Sequence, residues 1–450
     1  MPSPRFSKPK GPGVREAQRL IRTHKNRAWV ELALRYGKSF FYQGTLVTCD
    51  AQLVEQLLMQ RVHTRTRSIV YKKLNQIIPL APGLLFMDGE PWQRRLEAVM
   101  PAFTKARVDT YAGYMHDCIV SYVEQWGAST AIPDLYREIV NLNAEHLFRA
   151  GLGLDPQTEH ARELGQALID FKFDLMDPDA RLDWFGFSEN QLRRFPAFLK
   201  AQWRRRRKAG QLRRAVERVS TSEVGSYAQG LNWIHCLRET GFTNEEVTHE
   251  VNHLYGAYNA LDYAFTGAFY ELSRHPQWAL LLRNELAEVL GPEGYPTRDT
   301  FQALPHTLRF MREVFRCYPV SMGVSRRTGE ELRVGELTLP AGQEVLILLH
   351  ALHHHPDYWD QPDTFDPDRW KEEPRFPYAY VPFLKGPRHC IGRHLAELNF
   401  VLVLNAILQR FDIQVHDHEV PLAPYMMPRF ERELTCTMAR HKEPCPVKMK

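Results

Sequence analysis

One stretch in the middle of the sequence carries helical periodicity far enough to cross an entire protein. It opens at Thr243-Asn244-Glu245-Glu246, where the threonine and the glutamate three places on have capping-box spacing. It closes at Arg274-His275-Pro276, because the residue before a proline disfavours the α region. At 1.5 Å per residue the span is about 45–50 Å. A chain organised around such a rod is expected to stack other helices on it. Most of the sequence up to about Leu290 agrees, with spaced apolar residues and few period-two runs.

Two more helices have marked ends. One begins after Leu304-Pro305 and stops before Tyr318-Pro319. The other runs from about Gly392 to Arg410, with Leu395, Leu398, Leu402 and Ile407 along one apolar side. Strand candidates lie at Ser39 to Thr48 and at Leu332 to Leu349, the second with a turn signal at Pro340-Ala341-Gly342. The fold class expected is mainly α with a small β subdomain. By length, 450 residues allow two or three domains, yet no repeat and no Gly/Ser linker divides the chain. Residues 1–450 are read as one domain, with 1–15 as a loosely held N-terminus.

Lys and Arg number 58 against 53 Asp and Glu, a net charge of +5, which excludes a dedicated nucleic-acid binder. The sharpest local excess is Trp203 to Arg214, WRRRRKAGQLRR, read as a solvated helix face. The seven cysteines are scattered, with no CxxC and no zinc spacing, as in a reducing, cytoplasmic compartment. No apolar run is long enough for a transmembrane anchor. The arginine-rich, acid-poor start through Arg27 slightly resembles a mitochondrial transit segment, but it is read as a frayed terminus.

Chemistry concentrates in Phe383-Leu384-Lys385-Gly386-Pro387-Arg388-His389-Cys390-Ile391-Gly392, which puts a cysteine at the mouth of a helix. Unpaired N–H groups and the positive dipole end there favour a thiolate. Gly386 permits a tight turn, Gly392 a close approach by a flat cofactor, and Phe383 can shield the sulfur. Arg388 suits an anionic group such as a propionate.

FLKGPRHCIG resembles the haem-binding loop of the cytochrome P450 family, FxxGxRxCxG, at every fixed position. Glu313-Val314-Phe315-Arg316 is similar to that family's ExxR motif. Phe365-Asp366-Pro367-Asp368-Arg369-Trp370 resembles the later segment whose arginine completes a Glu-Arg-Arg network. Alone, an acid and a base three apart on a helix are usually a surface pair. In this order, with the loop, the motifs carry weight. The resemblance implies haem b on Cys390, held by a buried Glu313–Arg316–Arg369 network. Asp88 to Arg95 resembles the WxxxR helix, whose tryptophan and arginine hold a propionate; the place four after Trp92 is Leu96, so Trp92 and Arg95 are the candidates. Arg326 resembles the strand arginine that meets a propionate.

The family also implies oxygen-dependent oxidation of a small, mostly apolar molecule, with the thiolate favouring O–O cleavage. The chain has neither a GxGxxG fingerprint nor a cysteine cluster for iron–sulfur, so a ferredoxin or flavodoxin with its reductase is the expected electron donor. Lys385, Arg388 and Arg393 would suit docking of an acidic carrier. On the long helix, Gly256-Ala257-Tyr258-Asn259-Ala260 places Asn259 and Ala260 where the family carries its acid–threonine pair, and small Ala257 lets the haem come close. Asp262 or Thr266 would occupy those places in a slipped register. The missing relay keeps an alternative open: use of peroxide, rearrangement of a peroxide, or reliance on a substrate hydroxyl. A non-catalytic haem-binding protein is a second alternative. Candidate pocket residues are Phe86, Tyr258, Val320, Met322 and Met427.

Overall fold

The computed structural model describes residues 10–59, 83–154, 158–175, most of 200–218, 233–258, 260–291, 294–417, 422–423, 429–430 and 432–441. Asn259 and Met427 lie outside the described residues.

The architecture is mainly helical with small sheets, and the apolar side chains gather in two cores. The larger lies among the helices and is threaded by the helix Arg393–Leu408, whose residues from Leu398 to Leu408 are all buried. The sequence pattern suggested one apolar side for this helix. It is enclosed all round, as expected of a segment hydrophobic on every face. Beside it runs the helix Pro305–Cys317, with Pro305 in its first turn, where a missing N–H costs nothing.

The smaller core sits under a four-stranded sheet in the order Ser39–Tyr42, Thr45–Thr48, Glu344–Ile347, Val324–Arg327. The first two strands form a hairpin closed by Gln43 and Gly44, both at positive φ, the backbone of a two-residue hairpin turn. The third pairs in parallel with the second, which ties the N-terminal hairpin to the C-terminal half of the chain. Leu332–Val334 and Leu337–Leu339 form a separate hairpin. A three-stranded sheet of Ser129–Ile132, Cys436–Arg440 and Phe411–Val415 was not legible in the sequence.

The expected rod is two helices, Asn244–Tyr258 and Leu261–Arg274. The capping box at its start is formed: Thr243 and Glu246 exchange bonds from Thr243 N to Glu246 Oε2 (3.0 Å) and from Glu246 N to Thr243 Oγ1 (3.3 Å). At the junction the Ala260 N–H donates to Ala257 O, an i−3 bond of 3.2 Å, where a continuous helix would use i−4.

Candidate active site

Cys390 ends a loop folded back on itself. Its N–H donates to Phe383 O at 2.8 Å, and His389 N donates to Gly386 O at 3.1 Å. Gly386 has φ +74°, and a Cβ there would lie 2.1 Å from Leu58 O, so only glycine fits. Phe383 packs edge-on against Phe315 of the ExxR helix, with ring centroids 5.2 Å apart.

Burial pushes the Cys390 thiol up, and this outweighs the Gly392 N–H that pulls the other way. A cation bound at the sulfur would offset that burial. Despite that depth the residue is exposed. The residue is thus closely surrounded by protein on most sides while part of its surface stays open to solvent. The Cβ that Gly392 lacks would lie 3.9 Å from Cys390 Sγ, an ordinary van der Waals contact.

Behind the loop, Glu313 and Arg316 are completely buried. Arg316 Nε and Nη2 donate to the two carboxylate oxygens of Glu313, both at 2.8 Å, and Arg369 Nε donates to Oε1 at 3.0 Å. The Asp366 N–H and the Trp370 indole N–H add bonds of 2.9 Å each. Arg316 also donates to the carbonyls of His353, Pro362 and Thr364. Burial by itself raises the Glu313 carboxyl, but the bonds from Arg316 and the charges of Arg316 and Arg369 outweigh it and hold the group below its ordinary value. Sequence reasoning gave Trp370 no role. Its signal was the indole N–H next to Arg369, a donor that needs a partner once buried.

Arg326 is buried, and its Nη2 makes no hydrogen bond among the described residues; Nη1 reaches only Ser325 O. A buried guanidinium of this kind requires an anion. With the sulfur and Gly392, it makes a donor set that fits a haem with its propionates.

Two arginines are placed otherwise than expected. Arg95 is buried in an ion pair with Glu250, Nη1 to Oε1 2.5 Å, and meets Glu246 at 3.4 Å. One step round the helix from the WxxxR place, it turns to the long helix. Arg388 stacks on Trp92, 3.7 Å from its centroid, and pairs with Asp88 at 2.5 Å. Its side chain is 7% exposed, so it is no docking charge; Arg393, at 58%, is available at the surface although bonded to Glu397.

Near the break in the split helix Gly256 and Ala257 are exposed and Ala260 is half-buried, whereas Leu254, Tyr255 and Tyr258 are buried. A Cβ at Gly256 would meet nothing within 4 Å. Asp262 and Thr266 are fully buried: Asn143 Nδ2 donates to Asp262 Oδ1 at 2.5 Å, and Thr266 Oγ1 donates to the Asp262 carbonyl. The open side therefore carries 256, 257 and 260 and not the slipped pair. Tyr258, taken as a pocket residue, turns to the back, where its hydroxyl meets His146 Nδ1 at 2.8 Å. Phe86 and Val320 are half-buried and Met322 is buried.

The sequence profile described as cytochrome P450 matches residues 26–433. The chain belongs to the cytochrome P450 family. As a P450 it is an oxidoreductase of the monooxygenase class, and the family's cofactor is haem on a cysteine thiolate. Among curated relatives, the human mitochondrial 25-hydroxyvitamin D-1 alpha hydroxylase is 27% identical, covering 86% of this chain and 81% of its own length. The cytokinin hydroxylase of Arabidopsis thaliana is 24% identical over 86% of this chain and 78% of its own. A crystal structure of the cytochrome P450DA heme domain superposes with a TM-score of 0.73 at 22% identity, covering 92% and 93% of the two chains, a likeness of fold. No helix among the described residues is long and apolar enough to cross a membrane.

Proposed function

We propose that this P450 hydroxylates a small, mostly apolar molecule, using dioxygen and electrons from a separate ferredoxin or flavodoxin-type donor and its reductase, in the cytoplasm. The observation that carries the reading is Cys390: a sulfur presented by a folded-back, hydrogen-bonded loop, closely surrounded by protein yet with part of its surface open. When bound there, the haem supplies the oxidising chemistry, and thiolate donation favours O–O cleavage. The protein's share is positional. Glu313, Arg316 and Arg369 support the loop region, Arg326 would hold a propionate, and the small Gly256 and Ala257 would let the cofactor and substrate come close. The six described cysteines are free, which suits a reducing compartment. Arg393 offers an exposed cation near the loop for an acidic carrier.

Ala260 moves no proton, since it has no hydroxyl. A water or a substrate hydroxyl must deliver protons on that side, or peroxide must replace dioxygen and the donor. Turnover of a bound apolar compound with ferredoxin, reductase, NAD(P)H and dioxygen, and little with hydrogen peroxide, supports the monooxygenase. Turnover with peroxide alone overturns it. In the first case Ala260→Thr should raise the share of electrons that end in product.

A further inference from the structure

We infer that His253 accepts a hydrogen bond from a hydroxyl group of the substrate, so that the molecule oxidised is apolar over most of its length and carries a donor at one end. This rests on the reading of a small, mostly apolar substrate above and narrows its class.

His253 stands three and four places before Gly256 and Ala257, a spacing that puts all three on one side of the helix Asn244–Tyr258, with Ala260 a further turn on. Val247, Val251, Leu254, Tyr255 and Tyr258 turn the other side to the large core. Along the axis His253 lies about 5–6 Å from Gly256 and Ala257 and about 10 Å from Ala260. Of these four residues on the open side, it alone has a side chain that can hydrogen-bond.

The imidazole is tied at one nitrogen. Nδ1 lies 3.3 Å from Glu250 Oε2, while Glu250 Oε1 accepts from the Leu84 N–H at 3.1 Å and from Arg95 Nη1 at 2.5 Å. Burial alone raises the Glu250 carboxyl, but the bonds and charges of His253 and Arg95 outweigh it and hold the group below its ordinary value. The carboxylate is therefore ionised at neutral pH and only accepts, so Nδ1 carries the proton and the neutral ring keeps a lone pair on Nε2. Nε2 has no partner among the described residues, and 20% of the side chain is exposed. Gly83 meets the same turn of helix: a Cβ there would lie 2.8 Å from His253 Cβ, so the chain entering the turn Leu84–Phe86 lies directly against the histidine.

A buried acid, itself neutralised by a buried arginine, thus decides which ring nitrogen is offered to a ligand. A lone pair in that place selects a donor. A hydroxyl satisfies it, a hydrocarbon leaves it unpaired, and a carboxylate meets both the lone pair and the negative charge of Glu250 behind the ring. Standing a turn or more from Ala257 and Ala260, the hydroxyl is an anchor and not the group that reacts.

The test uses the full-length haem-loaded protein and two matched sets of probes: decanol, decane and decanoate, and the bicyclic decahydronaphthol, decahydronaphthalene and decahydronaphthoate. Affinity is read optically, from displacement of water at the ferric iron, and needs neither dioxygen nor an electron donor. In the set that fits better, the alcohol should bind about tenfold more tightly than the hydrocarbon and more tightly than the carboxylate. His253→Phe should erase the preference for the alcohol while the hydrocarbon binds as before, and His253→Gln, which offers an accepting oxygen, should restore part of it. Full haem content in both variants separates lost recognition from lost folding. Equal binding of alcohol and hydrocarbon, tighter binding of the carboxylate, or a preference that survives His253→Phe each overturns the inference. A protein that prefers the alcohol through His253 yet turns over with peroxide alone would overturn the monooxygenase reading and leave this one standing.

Discussion

The two sides of the candidate haem site are built on opposite principles. Behind Cys390, one carboxylate takes side-chain bonds from Arg316, Arg369 and Trp370 and a backbone N–H, all within 3.0 Å. On the distal helix assigned by the family resemblance, small side chains stand at Gly256, Ala257 and Ala260, Ala260 has no hydroxyl, and around the break the side-chain contacts are Tyr258 to His146 and Asp262 to Asn143. Both contacts land on one helix, Leu135–His146, on either side of the break. The first side is fixed by charge that cannot be left unpaired. The second is shaped by omission. Rigidity behind the ligand and open room on the distal helix are what a site needs when one face holds a cofactor and the other receives varied molecules.

The contrast breaks first at Glu313. Glu313→Ala strands two buried guanidiniums and should cost about 3–5 kcal/mol, seen as loss of haem content and a lower melting temperature. A variant that melts and binds haem like the parent would remove the supporting role. Because the folded carboxyl titrates below its ordinary value, its contribution is complete at neutral pH and lost as pH falls through that value.

Gly386→Ala should rank second. Left-handed backbone and a Cβ 2.1 Å from Leu58 O must displace the loop, at a cost of at least about 2 kcal/mol and with weaker haem retention. Unfolding curves equal to the parent's would show that the loop tolerates another path.

On the distal side, Tyr258→Phe should cost less, about 1–3 kcal/mol, since it leaves the buried His146 imidazole without its hydroxyl partner. Burial pushes His146 down to about 3, so it stays neutral in the fold while the unfolded chain takes up a proton below about 6.5. His350 and His353 beside Arg316 are pushed down as far, so stability should begin to fall below about 6.5 from these buried imidazoles together, before the Glu313 contribution is lost, and denaturant midpoints measured from pH 7 to pH 4 should show both stages. A single acid transition, unchanged by Tyr258→Phe, would erase the distinction.

The two sides also differed in how far the sequence disclosed them. Cys390, Gly386, Glu313, Arg316 and Arg369 were legible because ligand and ion-pair chemistry requires particular residue types at particular spacing. The helix ends at Pro305 and Thr243 were legible for the same reason. The break between the helices ending at Tyr258 and starting at Leu261 was not, since neither glycine nor proline marks it and the apolar period runs straight through; its anchors lie more than a hundred positions away, at Asn143 and His146. Arg95 misled for a similar reason, because nothing local announces its partner Glu250. The strand Ser129–Ile132 pairs with Cys436–Arg440, a partner only the folded chain supplies.

The central claim is that Cys390 binds the haem iron. Reduced protein exposed to carbon monoxide should show the strongly red-shifted absorption band of thiolate ligation. Cys390→Ser should lose that band, while Cys317→Ser and Cys436→Ser keep it. Retention of the band in Cys390→Ser would place the ligand elsewhere and contradict the account.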